Sequence, residues 1–389
     1  MPDSPTYPRI CTAPRSSFFL FGPRGVGKST WARQQFAEAH SIDLLDEGLY
    51  HDLLADPSLF SAELRTLRKG SWVLVDEIQR IPGLLNEVHR FIEQRRLRFA
   101  LLGSSARKLK TAGTNLLAGR AVRKTMFPLV PRELRGDFKL ESVLQYGSIA
   151  LIWNASDRRA ALEAYVQMYL REEIKAEALV RNLPGFVRFL PIAALFHGQV
   201  VNVSAIARDS GTARTTVNNY LEILEDTLLV HRLPAYEARL RVRERKHPKL
   251  YWVDPGLVRA AKRQFGPPSA EERGPLLEGW VFTLIRTHAQ ESPLLDDMFY
   301  WAPVQAKRVE VDFLLRRGRE FLALEVKSQR RFSEPLLSGL RAMSDLPDLV
   351  RRILVYTGGR KLKTPDGIDV WPIEALLHAL ESDRLWPGG

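Results

Sequence analysis

A glycine-rich segment, Gly22–Ser29, constrains the fold of this chain more than any other feature. It reads GPRGVGKS and matches the pattern G-x(4)-G-K-[ST]. An apolar run, Ser17–Phe21, precedes it, and a helix-compatible stretch, Thr30–Ala39, follows. A strand–loop–helix unit of this kind presents backbone N–H groups at the positive end of a helix, where they bind phosphate. The segment therefore predicts a P-loop carried by an α/β sheet.

The P-loop assigns roles in binding ATP. Lys28 is expected to neutralise the β- and γ-phosphates, and the Ser29 hydroxyl is expected to ligate Mg²⁺. The other residues expected to contact the nucleotide or its metal lie in the loop, just after it, and at the ends of two later strands: Gly22, Pro23, Arg24, Gly25, Val26, Gly27, Thr30, Asp76 and Ser104.

Two further apolar runs end in polar residues that suit ATP hydrolysis. Trp72–Val75 is followed by Asp76 and Glu77. Asp76 is expected to hold Mg²⁺ through water, and Glu77 is expected to polarise the attacking water as general base. The run Phe99–Leu102 ends in Gly103–Ser105. If this run is an extra strand beside the P-loop strand, its carboxyl end points at the γ-phosphate of ATP. Ser104 or Ser105 is then a candidate sensor of that phosphate. The alternative is that the serines only form a polar turn at the end of the strand.

The stretch from Arg15 to Glu133 resembles the AAA+ ATPases. Besides the P-loop, the matching pieces are an apolar strand ending in DEIQ, a GSS turn, and a GR before PLxxxEL; here they are Asp76–Gln79, Gly103–Ser105, Gly119-Arg120 and Pro128–Leu134. The resemblance implies a self-associated ring, expected to be a hexamer, with ATP at the subunit interfaces. It also implies an arginine that acts in trans on the γ-phosphate. Arg120 is our candidate because it falls in the matched GR, and Arg80 and Arg132 are alternatives. An arginine suits this role because its planar charge is permanent.

Composition indicates the compartment and the partners. The net charge of +12 over 389 residues favours a polyanion such as nucleic acid, although a merely basic proteome is the alternative. The only cysteine, Cys11, excludes an internal disulfide and fits a reducing compartment. No apolar run reaches ~18 residues, and the N-terminus lacks the apolar core of a signal peptide. We therefore expect a cytoplasmic protein with no membrane partner.

Patterns along the chain predict three domains. Residues 1–150 alternate apolar strands with amphipathic helices, as α/β sheets do. Residues 151–265 are mostly helical and close with strand-like runs. Residues 266–389 return to an α/β pattern after a stretch rich in Pro, Gly and charge, Phe265–Pro275.

The middle region carries a helix-turn-helix pattern. A short helix, Val203–Asp209, is followed by the turn Ser210-Gly211 and a longer helix, Thr212–Asp226. Two strand-like runs, Leu228–Pro234 and Leu250–Val253, would then make a wing. The residues expected to contact DNA lie on the second helix and in the basic wing tip: Arg214, Thr215, Asn218, Arg239, Arg241, Arg243, Arg245 and Lys246. Winged helices also mediate protein contacts, so a protein partner is the alternative.

The middle region has a second resemblance. From Tyr165 to Leu257 it resembles the uncharacterised domain that usually follows ATPases of this type. The matching pieces include a YLR near its start and the run YWVDPGL at Tyr251–Leu257. This resemblance says little about activity.

Four charged residues in the last region suggest a second active site. Glu278 lies on a predicted helix, Asp312 in the strand-like run VEVDFLL, and Glu325 and Lys327 in the run FLALEVK. Adjacent antiparallel strands would bring Asp312 and Glu325 side by side, and residues two apart share a strand face. Three carboxylates form a hard-oxygen site for Mg²⁺ or Mn²⁺, and a neighbouring lysine can activate water or stabilise charge on a phosphate.

This arrangement resembles the PD-(D/E)xK nucleases, whose α/β fold is that of the restriction endonucleases. The resemblance implies that Asp312, Glu325 and Lys327 form the catalytic core and that Glu278 is the acid on the helix. Val311 stands where the name motif has proline. The alternative is a degenerate nuclease fold retained for DNA binding or assembly.

These features combine into one functional prediction and one alternative. The prediction is an ATP-hydrolysing, DNA-binding protein that remodels or senses branched or double-stranded DNA and cleaves it with a Mg²⁺- or Mn²⁺-dependent nuclease domain. The alternative is an ATP-dependent regulatory or scaffold protein in which the nuclease-like domain is inert.

Overall fold

The P-loop lies in a five-stranded parallel sheet with the order β2-β3-β4-β1-β5. The structure is a computed structural model that describes residues 7–105, 107, 109, 117, 119–169, 183–237, 246–304 and 309–388. The strands are β1 (Phe18–Phe21), β2 (His40–Asp43), β3 (Trp72–Asp76), β4 (Arg98–Gly103) and β5 (Val122–Thr125). β4 lies between β1 and β3, so the extra strand predicted beside the P-loop strand is present.

Helices cover both faces of this sheet. Their bounds are α1 (Lys28–Gln35), α2 (Glu47–Ala55), α3 (Ser58–Arg65) and α4 (Leu84–Arg95). Two apolar clusters form the core, one on each face, and β1 contributes alternate phenylalanines to them. All four residues of β1 are buried, as its uninterrupted apolar run predicts for a central parallel strand.

The middle of the chain is mainly helical. Its helices are α5 (Pro131–Leu134), α6 (Leu140–Tyr146), α7 (Ala150–Trp153), α8 (Arg158–Ala164), α9 (Leu183–Leu195), α10 (Val203–Ser210), α11 (Arg214–Asp226) and α12 (Pro255–Ala261), and a π-helical turn, Tyr165–Tyr169, follows α8. The Asn202 side chain caps α10, and Gly211 ends it in the left-handed region with φ +62°. The predicted helix–turn–helix order of elements is therefore present.

Three short strands accompany these helices. They are β6 (Gln199–Val200), β7 (Val230–Leu233) and β8 (Lys249–Trp252), which form an antiparallel sheet with β8 in the centre. All four residues of β8 are buried. The strands that the sequence predicted as a wing thus belong to a small sheet whose central strand faces the protein interior.

The last region is built on a six-stranded mixed sheet, β13-β14-β12-β11-β10-β9. Its strands are β9 (Asp297–Trp301), β10 (Val311–Arg317), β11 (Glu320–Lys327), β12 (Leu349–Tyr356), β13 (Leu362–Lys363) and β14 (Asp369–Pro372). Its helices are α13 (Ala270–Ala289), α14 (Ser338–Ala342) and α15 (Ile373–Glu381). β10 and β11 are antiparallel neighbours, as predicted. β9, β13 and β14 were missed.

The start of α13 corrects the sequence interpretation. The stretch Phe265–Pro275 was interpreted as a boundary rich in Pro, Gly and charge, but a helix already begins within it, at Ala270. Ser269 and Glu272 form a capping box, each accepting a hydrogen bond from the backbone N–H of the other. This local cap overrides the helix-breaking signal of Pro275, which lies inside the helix.

Helix α13 contacts all three parts of the chain. Near its start Arg273 pairs with Glu141 at 2.5 Å, and Glu291, just past its end, pairs with Lys124 of β5 at 2.9 Å. One buried apolar cluster also runs from Phe127 to Trp386 and includes residues of the middle and last regions. Along the described residues, no helix combines the length and apolar character that crossing a membrane requires.

Candidate functional sites

The P-loop adopts a backbone conformation that its glycines permit. Gly25 and Gly27 have φ values of +76° and +99°, and a Cβ atom at Gly22 would lie 2.4 Å from the carbonyl oxygen of Met126. α1 begins at Lys28, so Ser29 occupies its first turn. Lys28 is 6% exposed, and its Nζ donates to the Gly22 carbonyl at 2.8 Å and the Pro23 carbonyl at 3.1 Å. The cation therefore rests on the backbone of its own loop.

Asp76 and Glu77 mark the end of β3, at the same edge of the sheet. Asp76 is buried, and its Oδ1 accepts from the backbone N–H of Glu77 at 3.1 Å. Glu77 has φ +56°, a left-handed conformation that non-glycine residues rarely adopt. Such strain is concentrated at functional sites, and here it turns the chain sharply after Asp76. The oxygen donors Ser29 and Asp76 are of the hard type that suits Mg²⁺.

Gln79 joins the acidic end of β3 to the serine turn of β4, a role that the sequence did not reveal. Its buried Nε2 donates to the Glu77 carboxylate and, at 3.1 Å, to Ser104 Oγ. A Cβ atom at Gly103 would lie 2.5 Å from Gln79 Oε1, so the glycine leaves room for this amide. Ser105 accepts instead from the backbone of Arg107. Of the two candidate serines, Ser104 is the one connected to Glu77.

Contacts from distant segments hold the P-loop from outside. Arg9 donates to the Phe127 carbonyl at 2.6 Å and to the carbonyl of Val26 in the loop, and it pairs with buried Glu133 at 2.9 Å. In the middle region, the Leu151 N–H donates to the Gly25 carbonyl at 2.9 Å. Nothing in the sequence around Arg9 indicated this contact, because its partners lie far along the chain.

The hydroxyl of Tyr165 makes a second contact between the middle region and the P-loop. It donates to the Arg24 carbonyl at 2.9 Å. Tyr165 is buried, whereas Arg24 and Thr30 are exposed at the outer side of the loop. This hydrogen bond therefore links the π-helical turn that carries Tyr165 directly to the P-loop.

The three candidate arginines for action in trans differ in their surroundings. Arg120 pairs with Glu93, and Arg80 donates to the Leu44 carbonyl and pairs with Glu47 at 2.9 Å. Arg132, on α5, is exposed. None of these contacts identifies the arginine that would reach a neighbouring subunit, so that assignment stays a prediction.

The helix-turn-helix residues are exposed, but the end of α11 contacts the segment that follows β4. Arg214, Thr215 and Asn218 lie on the exposed side of its first turns, where Arg214 donates to the hydroxyl of Ser204 on α10. Farther along, Arg107, just after β4, pairs with Asp226 at 2.8 Å. Exposed Lys246 pairs with Glu237 at 3.2 Å. The remaining predicted wing-tip residues lie outside the described residues: Arg239, Arg241, Arg243 and Arg245.

The predicted nuclease residues converge as the strand spacing requires. The β10–β11 register pairs Phe313 with Leu324 and so sets Asp312 opposite Glu325. Lys327 Nζ lies at 2.5 Å from Glu325 Oε1, and Asp312 Oδ2 accepts from the Val326 N–H at 2.8 Å. Glu278 approaches from α13. We use the term acidic cluster for Glu278, Glu310, Asp312 and Glu325.

A lysine that sequence analysis missed lies inside the acidic cluster. Lys249, on β8, is 2% exposed. Its Nζ lies 3.0 Å from Glu278, 3.3 Å from Asp312 and 3.4 Å from Glu310. The next residue but one on β8, Tyr251, donates its hydroxyl to Glu278. Lys249 is the last residue of the basic run Ala238–Lys249 that was assigned to the wing tip, so its charge was interpreted as part of a DNA contact.

The electrostatics of the cluster reflect an excess of carboxylates over cations. Burial lowers the pKa of Lys249, but the surrounding acids, led by Glu278, outweigh it and raise that pKa well above its usual value. Burial and Asp312 raise the pKa of Glu278 to about 7, against the lowering effect of Lys249. Burial and Asp312 also raise the pKa of Glu325 well above its usual range. Lys249 is therefore charged at neutral pH, while the carboxyl groups compete for a further proton.

The donor set does not fit a divalent metal in this conformation. Within the described part of the chain, no group of three His, Cys, Asp or Glu is placed to hold a metal ion. An ammonium group occupies the space between Glu278 and Asp312, and Glu325 is paired with Lys327. In this conformation the residues of the predicted Mg²⁺ or Mn²⁺ site, Glu278, Asp312 and Glu325, are thus paired with lysines, and metal binding there stays a prediction.

Comparison with protein families divides the chain into three matched segments. Residues 14–135 match the AAA domain family, residues 138–267 match a domain of unknown function, DUF8612, and residues 273–376 match another, DUF4143. The N-terminal part is therefore similar to an AAA domain. The two later matches carry no activity.

The chain is also similar to bacterial proteins along most of its length. An uncharacterised protein of Mycobacterium tuberculosis is 28% identical over 380 residues, which is 94% of this chain and 82% of that protein. An uncharacterised protein of Haemophilus influenzae is 25% identical over 336 residues, with 80% and 78% covered. Among solved structures, Aeropyrum pernix Orc1 in complex with DNA aligns with 64% of this chain and 86% of its own, at 15% identity and a TM-score of 0.26. A TM-score this low does not indicate a shared overall fold.

Proposed function

We propose that this chain hydrolyses ATP at the P-loop of its AAA domain and uses the cycle to remodel or sense DNA. Glu77 is the proposed general base. One observation carries the hydrolytic part of the proposal: Gln79 donates hydrogen bonds to both Glu77 and Ser104. These residues lie at the ends of β3 and β4, the edge of the sheet from which the P-loop also leaves β1.

Binding in this proposal exchanges weak contacts for strong ones. Lys28 exchanges the carbonyls of Gly22 and Pro23 for the phosphates, because an ammonium group is attracted more strongly by the full negative charge of a phosphate than by the dipole of a carbonyl. The backbone N–H groups of the loop and the first turn of α1 cradle the phosphate oxygens. Ser29 and Asp76 would hold Mg²⁺, which supplies charge neutralisation on the phosphates. Glu77 accepts the proton of the attacking water.

The hydrolysis proposal is tested by Glu77→Gln, which keeps the shape of the side chain and removes its basicity. We expect ATP binding to persist and turnover to fall by roughly 10²–10⁴-fold. Asp52→Asn, on the distant surface of α2, is the matched control. Binding is followed with a fluorescent ATP analogue, and turnover by phosphate release. Turnover that survives in Glu77→Gln would remove Glu77 from its role.

DNA contact is proposed for the exposed start of α11. Support comes from the exposure of Arg214, Thr215 and Asn218 and from the net charge of +12. Arg239, Arg241, Arg243, Arg245 and Lys246 are proposed as further phosphate contacts. Fluorescence anisotropy with branched, double-stranded and single-stranded DNA tests this: Arg214→Ala should weaken binding, whereas Arg33→Ala, another exposed arginine, should not. RNA of the same sequence is the competing polyanion in the assay.

Assembly into a ring, with Arg120 completing the neighbouring ATP site, is a further proposal. The AAA domain supports it, because an arginine that stabilises the phosphoryl-transfer transition state can be supplied in trans. Mixing Arg120→Ala with Glu77→Gln subunits tests it. If each variant supplies what the other lacks, part of the lost turnover returns; no recovery, with mixed assemblies verified by mass, would exclude Arg120.

A second candidate function is an ATP-dependent regulator with a C-terminal domain that does not cut DNA. The presence of Lys249 in the acidic cluster favours it. Metal-dependent cleavage by Asp312, Glu325 and Lys327 stays a prediction of the nuclease resemblance, as does the division into domains at residues 150 and 265. Incubating linear, single-stranded and branched DNA with Mg²⁺ or Mn²⁺ separates the two candidates. Cleavage by the wild type that is lost in Lys327→Ala would favour the nuclease.

A further inference from the structure

The ammonium group of Lys249 is surrounded by carboxylates from two different elements. Glu278 comes from α13, Asp312 lies in β10, and Glu310 directly precedes β10. Lys249 Nζ donates to Glu278 at 3.0 Å and to Asp312 at 3.3 Å, and it forms an ion pair with Glu310 at 3.4 Å. An ammonium group has three N–H donors, and two of them are used by Glu278 and Asp312.

The strand that carries Lys249 is built to reach this place. Residues two apart on a strand point to the same side, and both Lys249 and Tyr251 reach Glu278. Lys249 Nζ also lies 5.5 Å from the centre of the Tyr300 ring, within the range of a cation–π contact. A buried charge requires such partners, because an unpaired one is strongly disfavoured. The contacts come from several elements and therefore fix the position of the lysine.

We propose that Lys249 is the resident cation of the acidic cluster: it fastens the small β6-β8-β7 sheet to the last domain and keeps divalent metal ions out of the nuclease-like site. A metal ion that binds Asp312 and Glu278 must displace the ammonium, since both cations would otherwise share the same oxygens at repulsive distance. The site opens only when β8 withdraws its lysine. The proposal does not depend on ATP hydrolysis or on DNA contact by α11.

Manganese binding to the nucleotide-free wild type tests the exclusion directly. Mn²⁺ is titrated into EDTA-treated protein and free Mn²⁺ is followed by electron paramagnetic resonance. We expect no saturable site that depends on the acidic cluster. A stoichiometric site that disappears in Asp312→Asn would overturn the proposal, and this result needs no variant of Lys249.

Removing the lysine gives the converse result. Lys249→Met keeps the length of the side chain and removes its charge, and we expect it to gain one Mn²⁺ site, at least about tenfold tighter than any site of the wild type. The gain should vanish in Lys249→Met/Asp312→Asn. Lys249→Arg, which keeps a cation, should bind no Mn²⁺. A folded Lys249→Met protein that gains no site would refute metal exclusion.

A matched control separates a specific effect from the loss of any buried lysine. Lys262 pairs with Glu272, another acid of α13, at 3.0 Å. Lys262→Met should gain no Mn²⁺ site. The melting temperature of Lys249→Met should fall and then rise again on addition of Mn²⁺, whereas that of Lys262→Met should not respond to the metal. An equal response of the two variants would contradict the proposal.

Discussion

The P-loop and the acidic cluster each contain a buried lysine, but the two lysines have different partners. Lys28 Nζ donates to two backbone carbonyls, whereas Lys249 Nζ lies among three carboxylates. The carbonyls that accept from Lys28 carry no net charge, so an arriving phosphate gives this ammonium group an anionic partner. The charge of Lys249 is already compensated. Partners, and not the residue type, therefore decide whether a buried lysine receives a ligand or occupies a ligand's place.

The largest expected effect tests the stabilising role of Lys249. Lys249→Met leaves Glu278 and Asp312 buried without their cation, and breaking a buried ion pair costs about 3–5 kcal/mol of unfolding free energy. Lys28→Met removes hydrogen bonds from the ammonium group to two carbonyls and should cost less, about 1.5–3 kcal/mol. Urea unfolding followed by tryptophan fluorescence measures both. Equal losses would mean that the two lysines are held alike.

The rate of ATP turnover should depend strongly on Lys28 and little on Lys249, the reverse of the order expected for stability. Lys28→Ala removes a positioned cation from the phosphate site and should lower the ATPase rate by roughly 10²–10³-fold. Lys249→Arg retains the buried cation and should leave the rate within about twofold of the wild type, because distant sites contribute independently. Phosphate release at saturating ATP is the measurement. A comparable loss in Lys249→Arg would show that the acidic cluster controls the ATP site.

Lowering the pH should destabilise the part of the fold around β8, the strand that carries Lys249. Burial and Lys262 lower the pKa of His197 to about 3, and its Nδ1 accepts from the Trp252 N–H at 3.1 Å. The unfolded chain binds this proton below about pH 6.5 and the folded chain does not, so stability falls as the pH falls. The loss from this group is about 2 kcal/mol at pH 5.

His197→Asn should flatten that part of the pH profile, because it keeps an acceptor for Trp252 without a titrating ring. The contribution of Glu278 to the free energy of unfolding changes with pH in the opposite direction. Its pKa of about 7 lies above the value in the unfolded chain, so this contribution is present at low pH and is lost as the pH rises through 7. The difference between the wild-type and variant urea profiles from pH 7 to 5 isolates His197. Parallel profiles would contradict its neutral state.

The smallest expected effect concerns the contact between the two regions. Lys124 and Glu291 are each 14% exposed, and a double-mutant cycle of Lys124→Ala and Glu291→Gln should give a coupling of about 1 kcal/mol. The exposed pair of Arg33 and Asp43 should give less, about 0.3 kcal/mol, because solvent screens it. Thermal unfolding of the four proteins in each cycle provides the numbers.

Sequence could predict the features whose parts lie close together along the chain. The P-loop follows its strand and begins its helix directly, and Asp312 and Glu325 are separated by one hairpin. The same reasoning failed where a contact joins distant segments. Lys249 meets Asp312 across 63 positions, and Arg9 meets Glu133 across 124. No periodicity reports such contacts.

Local chemistry also misled in two places. The Pro- and Gly-rich stretch Phe265–Pro275 indicated a boundary, but a helix capped by Ser269 begins within it. The basic character of the segment before β8 was extended to Lys249, although the apolar residues that follow it, Leu250 and Trp252, already indicated burial. A charge at the end of a buried strand is better interpreted by its strand than by its charged neighbours.

Helix α13 determines how this protein can be dissected. The composition suggests cutting the chain near residue 270, yet that cut would separate Arg273 from Glu141 and Lys249 from Glu278, and it would leave Lys124 without Glu291. Each fragment would contain charged residues whose ion-pair partners lie on the other fragment, and it would expose its part of a shared apolar core. The middle and last regions are therefore expected to fold, and to be expressed and purified, only as one unit.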